Sequence, residues 1–290
     1  MAQWRPLRVQ IVVGQQDVFS RVLVTNIQCW GYETIIQTAE EILKDNGREA
    51  QAGDVLLYDV DVWSQSGVMQ NPVLQNGLLP LEGIKSYNKT WSQPRFVILL
   101  SSRSVSRAML EQIGAVALLL KPFEMGRLQR YLKVLHRLVL AEAQGAALPL
   151  LHEESEDEDG VCRVLVVDDD EIMAHTLQQC LSCEPRYEVI VAYDGLGALE
   201  ISLDWHPHCV VTDLIMPWMN GYQVIRCLTN SSLRVVPAFV VMSALTQLEH
   251  PIRHSYLRGK AVAYLNKPFH IDRLLSAIKQ VCLENRCQTA

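Results

Sequence analysis

The apolar residues of this chain fall into short unbroken runs that end in acids, hydroxyls or a lysine. RVLVV (163–167) runs into three aspartates, and CVVTD (209–213) ends in one. AFVVM (238–242) is followed by Ser243, VAYL (262–265) leads to Asn266 and Lys267, and EVIVA (188–192) is a fifth run of the same kind. Runs that are apolar at every position predict strands buried on both faces, as in a parallel sheet covered by helices. Helical spacing fills the gaps. It appears at Ile172, Leu177 and Leu181, in GLGALEISL, at Val224, Ile225 and Leu228, and at 271, 274, 275, 278 and 282. A further helix is expected near Pro251, since proline is tolerated in a first turn. Five alternating strand–helix units give an α/β fold with its functional groups at the carboxyl ends of the strands.

The first half repeats the pattern. QIVV (10–13) precedes VLVV (164–167) by 154 residues, and Asp59 precedes Asp213 by the same 154. LLLKPF (118–123) and YLNKPF (264–269) are offset by 146, so the first half carries 8 extra residues between Asp59 and Lys121. They are expected in the Gly-, Asn- and Pro-containing stretch from Ser64 to Pro94. Repetition on this scale means two copies of one domain fold. The expected boundaries are 1–140 and 161–290. Between them, residues 141–160 include a run from Glu153 to Asp159 in which only Ser155 is uncharged, an acidic linker that repels itself and stays solvated.

Charge narrows the function. The net −6 is mostly that linker, with seven acids and no base, and the flanking blocks stand at +3 and −2. Neither is basic enough to suggest nucleic acid. No apolar stretch approaches ~18 residues and no secretory pattern opens the chain, so no membrane association and a cytoplasmic location are expected. Eight scattered cysteines read as reduced thiols. Cys180 and Cys183 form one CxxC without the second ligand pair that zinc usually needs.

The chemistry lies at the strand ends of the second half. Asp168 and Asp169 follow its first strand, Asp213 ends the third, Ser243 follows the fourth and Lys267 the fifth. A parallel sheet brings all of them to one rim. Carboxylates about 5 Å apart repel by roughly 3 kcal/mol per pair at an effective dielectric near 20. Three of them call for a hard divalent cation with oxygen ligands, which favours Mg²⁺. A metal, a lysine and a hydroxyl together suit an incoming phosphoryl group, with Asp213 the nucleophile that forms an acyl phosphate.

VLVVDDDE, AYDGLGALE, DLIMPWMNG, VVMSA and AYLNKPF, in that order, resemble the CheY-like receiver domain of two-component response regulators, over essentially all of 161–290. The resemblance implies two flavodoxin-like (βα)5 doubly wound parallel sheets in tandem. It implies Asp213 as phosphoacceptor, with Asp168, Asp169, Asp213 and the backbone carbonyl of Ile215 holding Mg²⁺. It implies Ser243, the Ala244 amide and Lys267 as phosphoryl contacts, Ser243 and Tyr264 as switch residues, and a cis peptide before Pro268. A histidine kinase would be the donor. Output would pass to a downstream protein not identifiable from sequence, or onward to a phosphotransfer histidine, because no DNA-binding or enzymatic motif follows. The chain is therefore expected not to be an enzyme. A structural adaptor with vestigial phosphorylation is the other reading. Asp168-x-Asp170 also resembles the start of haloacid-dehalogenase phosphatases, but no late acidic pair follows Lys267. Ile215 and Leu245 are apolar where the family tunes phosphoryl loss, which implies slow autodephosphorylation.

The first half departs from this pattern. Gly14 and Gln15 stand where Asp168 and Asp169 stand, and Asp17 lies too far on, at the start of the next helix. Asp59 and Lys121 remain, Ser101 or Ser102 matches Ser243, and Leu118 replaces Tyr264. The expectation is a degenerate pseudo-receiver that is not phosphorylated, with an Asp59–Lys121 ion pair in a structural role. Its last helix, from Met125, carries Leu128, Tyr131, Leu135 and Leu138. That spacing suits either a core-facing helix or a dimer or domain-coupling helix, which leaves a homodimer open.

Overall fold

A computed structural model describes residues 5–38, 41, 53–61, 96–105, 107–143, 161–231, 236–244 and 261–289. The stretch from 64 to 94, most of the acidic linker, the helix expected near Pro251, and Leu245 lie outside the described residues. The chain divides into two compact units, Met1–Val139 and Leu140–Ala290.

In the first unit the strands are β1 (Arg8–Val13), β2 (Glu33–Thr38), β3 (Val55–Asp59), β4 (Phe96–Ser101) and β5 (Ala115–Leu120). The helices described are α1 (Val18–Cys29), α2 (Arg107–Ile113) and α3 (Met125–Ala143). The strand order is β2-β1-β3-β4-β5, parallel throughout. The second unit has β6 (Cys162–Val167), β7 (Tyr187–Ala192), β8 (Cys209–Asp213), β9 (Ala238–Ser243) and β10 (Val262–Asn266). Its described helices are α4 (Glu171–Ser182), α5 (Gly195–Trp205), α6 (Gly221–Asn230) and α7 (Ile271–Thr289). The order is β7-β6-β8-β9-β10, again all parallel, so the two units share one doubly wound, flavodoxin-like arrangement.

The central strands are buried on both faces, as the unbroken apolar runs require. Val164, Leu165, Val166, Val167, Val210, Val211 and Phe239 through Met242 are essentially inaccessible. Helices pack on the strands through narrow apolar stripes. In α4 the stripe is Ala174, Leu177 and Leu181. Ile172, read from the sequence as part of it, is 80% exposed. It lies five residues before Leu177, roughly 140° around the helix, and so faces away from the sheet. In α3 all four spaced residues, Leu128, Tyr131, Leu135 and Leu138, are buried, as core-facing packing requires. That helix runs to Ala143, three residues into the segment expected as linker, and α7 continues past Leu283 to Thr289.

The length difference between the halves divides differently from the simple insertion expected. Asp59 and Ser101 are 42 positions apart, against 30 for Asp213 and Ser243, whereas Ser101 to Lys121 spans 20 against 24. The first unit is thus longer between β3 and β4 and shorter between β4 and β5.

At the amino-terminal end of β3 sits Asp54, 4% exposed. Its carboxylate accepts two bonds from the Arg5 guanidinium, at 2.9 and 2.8 Å, and one from the Arg8 backbone N–H at 3.0 Å. Burial alone would push this acid up; the Arg5 and Arg8 bonds outweigh it and hold it below the ordinary carboxylate value.

Candidate functional site

Each side chain of the second-unit cluster is delivered by the end of a different strand. Asp168 and Asp169 follow β6, Asp213 ends β8, Ser243 ends β9, and Lys267 follows β10. These strands are neighbours in the sheet, so the parallel register gathers all of them on one rim.

The carboxylates of Asp168, Asp169 and Asp213 each offer an oxygen within 4.8 Å of the others. Among the described residues this is the one His, Cys, Asp and Glu group of that kind, and Cys180 and Cys183 are exposed thiols outside it. Lys267 Nζ donates to Asp168 Oδ2 at 2.8 Å and lies 3.1 Å from Asp213 Oδ2. Asp168 is 1% exposed and Asp213 is half-buried, whereas Asp169 is open to solvent. Burial pushes the Asp213 carboxyl above its ordinary value; Lys267 pulls it down and Asp168 pushes it up again. Burial pulls Lys267 down, but the bond to Asp168 and the charges of both aspartates leave it raised. Three carboxylates against one ammonium leave two uncompensated negative charges when all are ionised. With all-oxygen donors, one of them solvent-facing, that set fits a hard divalent cation.

Local structure fixes the nucleophile candidate. Asp213 Oδ1 accepts the Leu214 N–H at 2.6 Å and faces the Ile215 N–H at 3.5 Å, which leaves Oδ2 toward the lysine. The helix α6 is seated by a reciprocal cap, in which Asn220 accepts from the Gln223 N–H while Gln223 accepts from the Asn220 N–H. Asp170 does not join the cluster. Its Oδ1 accepts from the Ile172 and Met173 amides and caps α4, so the Asp-x-Asp spacing here is one cluster acid and one helix cap. Ser243 is fully buried, Ala244 is exposed, and Tyr264 is 41% exposed on β10. The Ile215 side chain is 54% exposed beside the cluster. The Lys267–Pro268 and Lys121–Pro122 peptides are both cis.

The corresponding rim of the first unit is different. Gly14 and Gln15 follow β1 without a carboxylate, and Asp17 caps α1 by accepting the Ser20 N–H at 2.8 Å. Lys121 Nζ lies 2.6 Å from Asp59 Oδ2. The sequence reading assigned Lys121 that one acid. The structure adds Asp61, whose Oδ2 is 3.2 Å from the same nitrogen and also accepts from the Ser102 N–H and hydroxyl. The position was legible as an acid two residues past a strand-ending aspartate, where the second half has Ile215. Lys121 also sits 4.9 Å over the Phe19 ring.

The family match falls on the second unit. A model of the response regulator receiver domain matches residues 164–279. Protein PilG of Pseudomonas aeruginosa is 32% identical over 120 residues, which cover 40% of this chain and 84% of PilG. The chain belongs to the response regulator receiver family. A protein-glutamate methylesterase/protein-glutamine glutaminase of Myxococcus xanthus is 39% identical over 107 residues. There the match covers 37% of this chain and only 30% of the relative, whose remaining length is not matched. Among solved structures, a signal receiver domain from Bermanella marisrubri is 32% identical, with 41% of this chain and 96% of that one covered and a TM-score of 0.37. The family match thus includes β8, β9, β10 and the carboxyl-terminal part of β6, whose ends build the acid–lysine cluster.

Proposed function

We propose that this protein is a two-component response regulator that accepts a phosphoryl group from the phosphohistidine of a histidine kinase onto Asp213, and signals by protein–protein contact. One observation carries the reading: three carboxylates within 4.8 Å share the sheet rim with a lysine bonded to two of them. Keeping such a cluster costs electrostatic energy that an inert scaffold would have no reason to retain.

Asp168, Asp169, Asp213 and the Ile215 carbonyl would hold Mg²⁺. The ion would neutralise charge on the phosphoryl oxygens. The protein's own groups do the positioning. In the transfer, a carboxylate oxygen of Asp213 forms the new bond to phosphorus as the phosphorus–nitrogen bond of the donor breaks, and the donor imidazole leaves with the electron pair. Lys267 would exchange its contact with Asp213 for one with a phosphoryl oxygen, and the Ser243 hydroxyl and Ala244 amide would supply further donors. Tyr264 would report the change at the surface.

On this reading the chain has a live receiver over 161–290, an acidic linker over 141–160, and a pseudo-receiver over 1–140 that lacks the acidic pair. The first unit is not phosphorylated, and the output is either a downstream protein or a phosphotransfer histidine. Incubation of the full chain with Mg²⁺ and acetyl phosphate should add one hydroxylamine-labile phosphoryl group. Asp213→Asn should abolish it and Asp59→Asn should not. A label that survives Asp213→Asn would overturn the proposal.

A further inference from the structure

The two rims can be superposed position by position. Val60 donates its N–H to the Leu100 carbonyl as Leu214 does to Met242, and Lys121 donates to Ser101 as Lys267 does to Ser243. Asp61 therefore stands at the position of Ile215, Ser102 at that of Ala244, and Lys121 at that of Lys267. Asp61 Oδ2 accepts from the Ser102 N–H at 2.8 Å, from its hydroxyl at 2.7 Å, and from Lys121 Nζ at 3.2 Å. The Ala244 amide and Lys267 are two of the three donors assigned under the proposed function to the phosphoryl group, the third being the Ser243 hydroxyl, and the role of Asp61 rests on that reading.

We propose that Asp61 is a built-in anion, a carboxylate of the chain itself that fills the phosphoryl-contacting donors of the first unit and fixes that unit in its anion-engaged arrangement. The other groups of the rim fit this assignment. Burial pushes Asp61 up, but the bonds from Ser102 and Lys121 outweigh it, so the carboxylate is held below its ordinary value and is ionised at neutral pH. Ser101, the counterpart of Ser243, is committed locally: its hydroxyl donates to the Arg103 carbonyl at 2.8 Å and accepts the Arg103 N–H at 3.1 Å. The second unit has an exposed isoleucine in place of this carboxylate, so no side chain at that position competes with an external anion for the Ala244 amide and Lys267. One unit thus presents a constant surface, and the other a surface set by phosphorylation.

The test uses the full chain and inorganic phosphate. Hydrogen exchange is followed in peptides from the described segments 96–105 and 115–121, so that phosphate effects in the second unit are read separately. In the wild type these peptides should be protected and unchanged by phosphate. In Asp61→Ala they should exchange faster, and phosphate should restore protection. The double variant Asp61→Ala, Ser102→Pro removes the backbone donor and should lose that rescue. If Asp61→Ala fails to fold, Asp61→Asn keeps the shape without the charge and should show the same phosphate response more weakly. Unchanged exchange in the folded variant, faster exchange without phosphate rescue, or an equal phosphate response in the wild type would overturn the proposal. Phosphoryl labelling of Asp213 in the same samples reports on the functional reading separately, since all of these substitutions lie within the first unit.

Discussion

Gly221 lies so close under Asp213 that a side chain there has no room. A Cβ at this position would overlap the Asp213 carbonyl oxygen and approach Thr212 Oγ1 to 3.0 Å. The first turn of α6 therefore rests directly on the end of β8, where the Asp213 carboxylate is set. Gly221→Ala should lower stability by about 1–3 kcal/mol, the usual cost of overpacking, read as a shift of the urea midpoint. It should also slow phosphoryl uptake by displacing Asp213. An unchanged midpoint would show that the helix shifts freely.

The pH dependence of stability follows from the raised Asp213 carboxyl. A group that holds its proton more tightly when folded adds stability below its unfolded value, and that stability is lost as pH rises through the folded value. Asp213→Asn removes this loss. Without metal, the variant should therefore melt higher than the wild type, with a gap that is absent at acid pH and opens as pH climbs past the ordinary carboxylate value. Added Mg²⁺ should narrow the gap by stabilising the wild type, with its third carboxylate, more than the variant. Melting curves across that pH range, in chelator and in Mg²⁺, are the measurement.

Lys267 pairs with two acids at once, one of them 1% exposed. Lys267→Met should cost about 3–5 kcal/mol at neutral pH in chelator, the usual penalty for leaving a buried charge without its partner. Because the lysine is raised when folded, its contribution is fully present below 10.5 and is lost as pH rises through the folded value. The difference in denaturation midpoints should therefore shrink in strongly alkaline buffer.

The Ile215 side chain has no hydrogen-bonding group to orient a water against a phosphorylated Asp213, and it stands open beside the cluster. The acyl phosphate should persist for minutes or longer, and Ile215→Asn should shorten its life. Decay of label after removal of the phosphodonor measures both. A wild-type lifetime of seconds would contradict the expectation.

Cysteine reactivity should divide along burial. Cys162 Sγ lies 3.7 Å from Cys282 Sγ, and that contact together with burial pushes the Cys162 thiol far above its ordinary value. Cys29, Cys180 and Cys183 are exposed. Iodoacetamide at mildly alkaline pH should label these three well before Cys162, since the thiolate is the reactive form. Peptide mapping of a time course gives the order.

The fold was legible because it depends on runs of apolar residues and their spacing. RVLVV, CVVTD and AFVVM can be satisfied only as strands covered on both sides, and a parallel sheet then fixes which ends meet. The acid–lysine cluster was legible for the same reason, since each residue follows a strand whose end could be counted. Helix faces were less so. Ile172 obeys a loose apolar spacing, but in the first turn it falls outside the stripe set by Ala174, Leu177 and Leu181. Asp61 could be placed near the rim by its spacing from Asp59, but its role was missed because it depends on Ser102, 41 residues away in sequence, and sequence spacing does not show a pairing across two strand ends.

The strand β3 carries one further consequence. Its side chains are buried on both faces, so alternation of polar and apolar residues says nothing about how far it slides along its neighbours. Charge supplies what hydrophobicity leaves open. Asp54 is clasped by Arg5 and Arg8 at one end, and Asp59 by Lys121 at the other. A slip of one residue in either direction would break both clasps together, so the pair acts as a two-point gauge that admits a single alignment of the central strand.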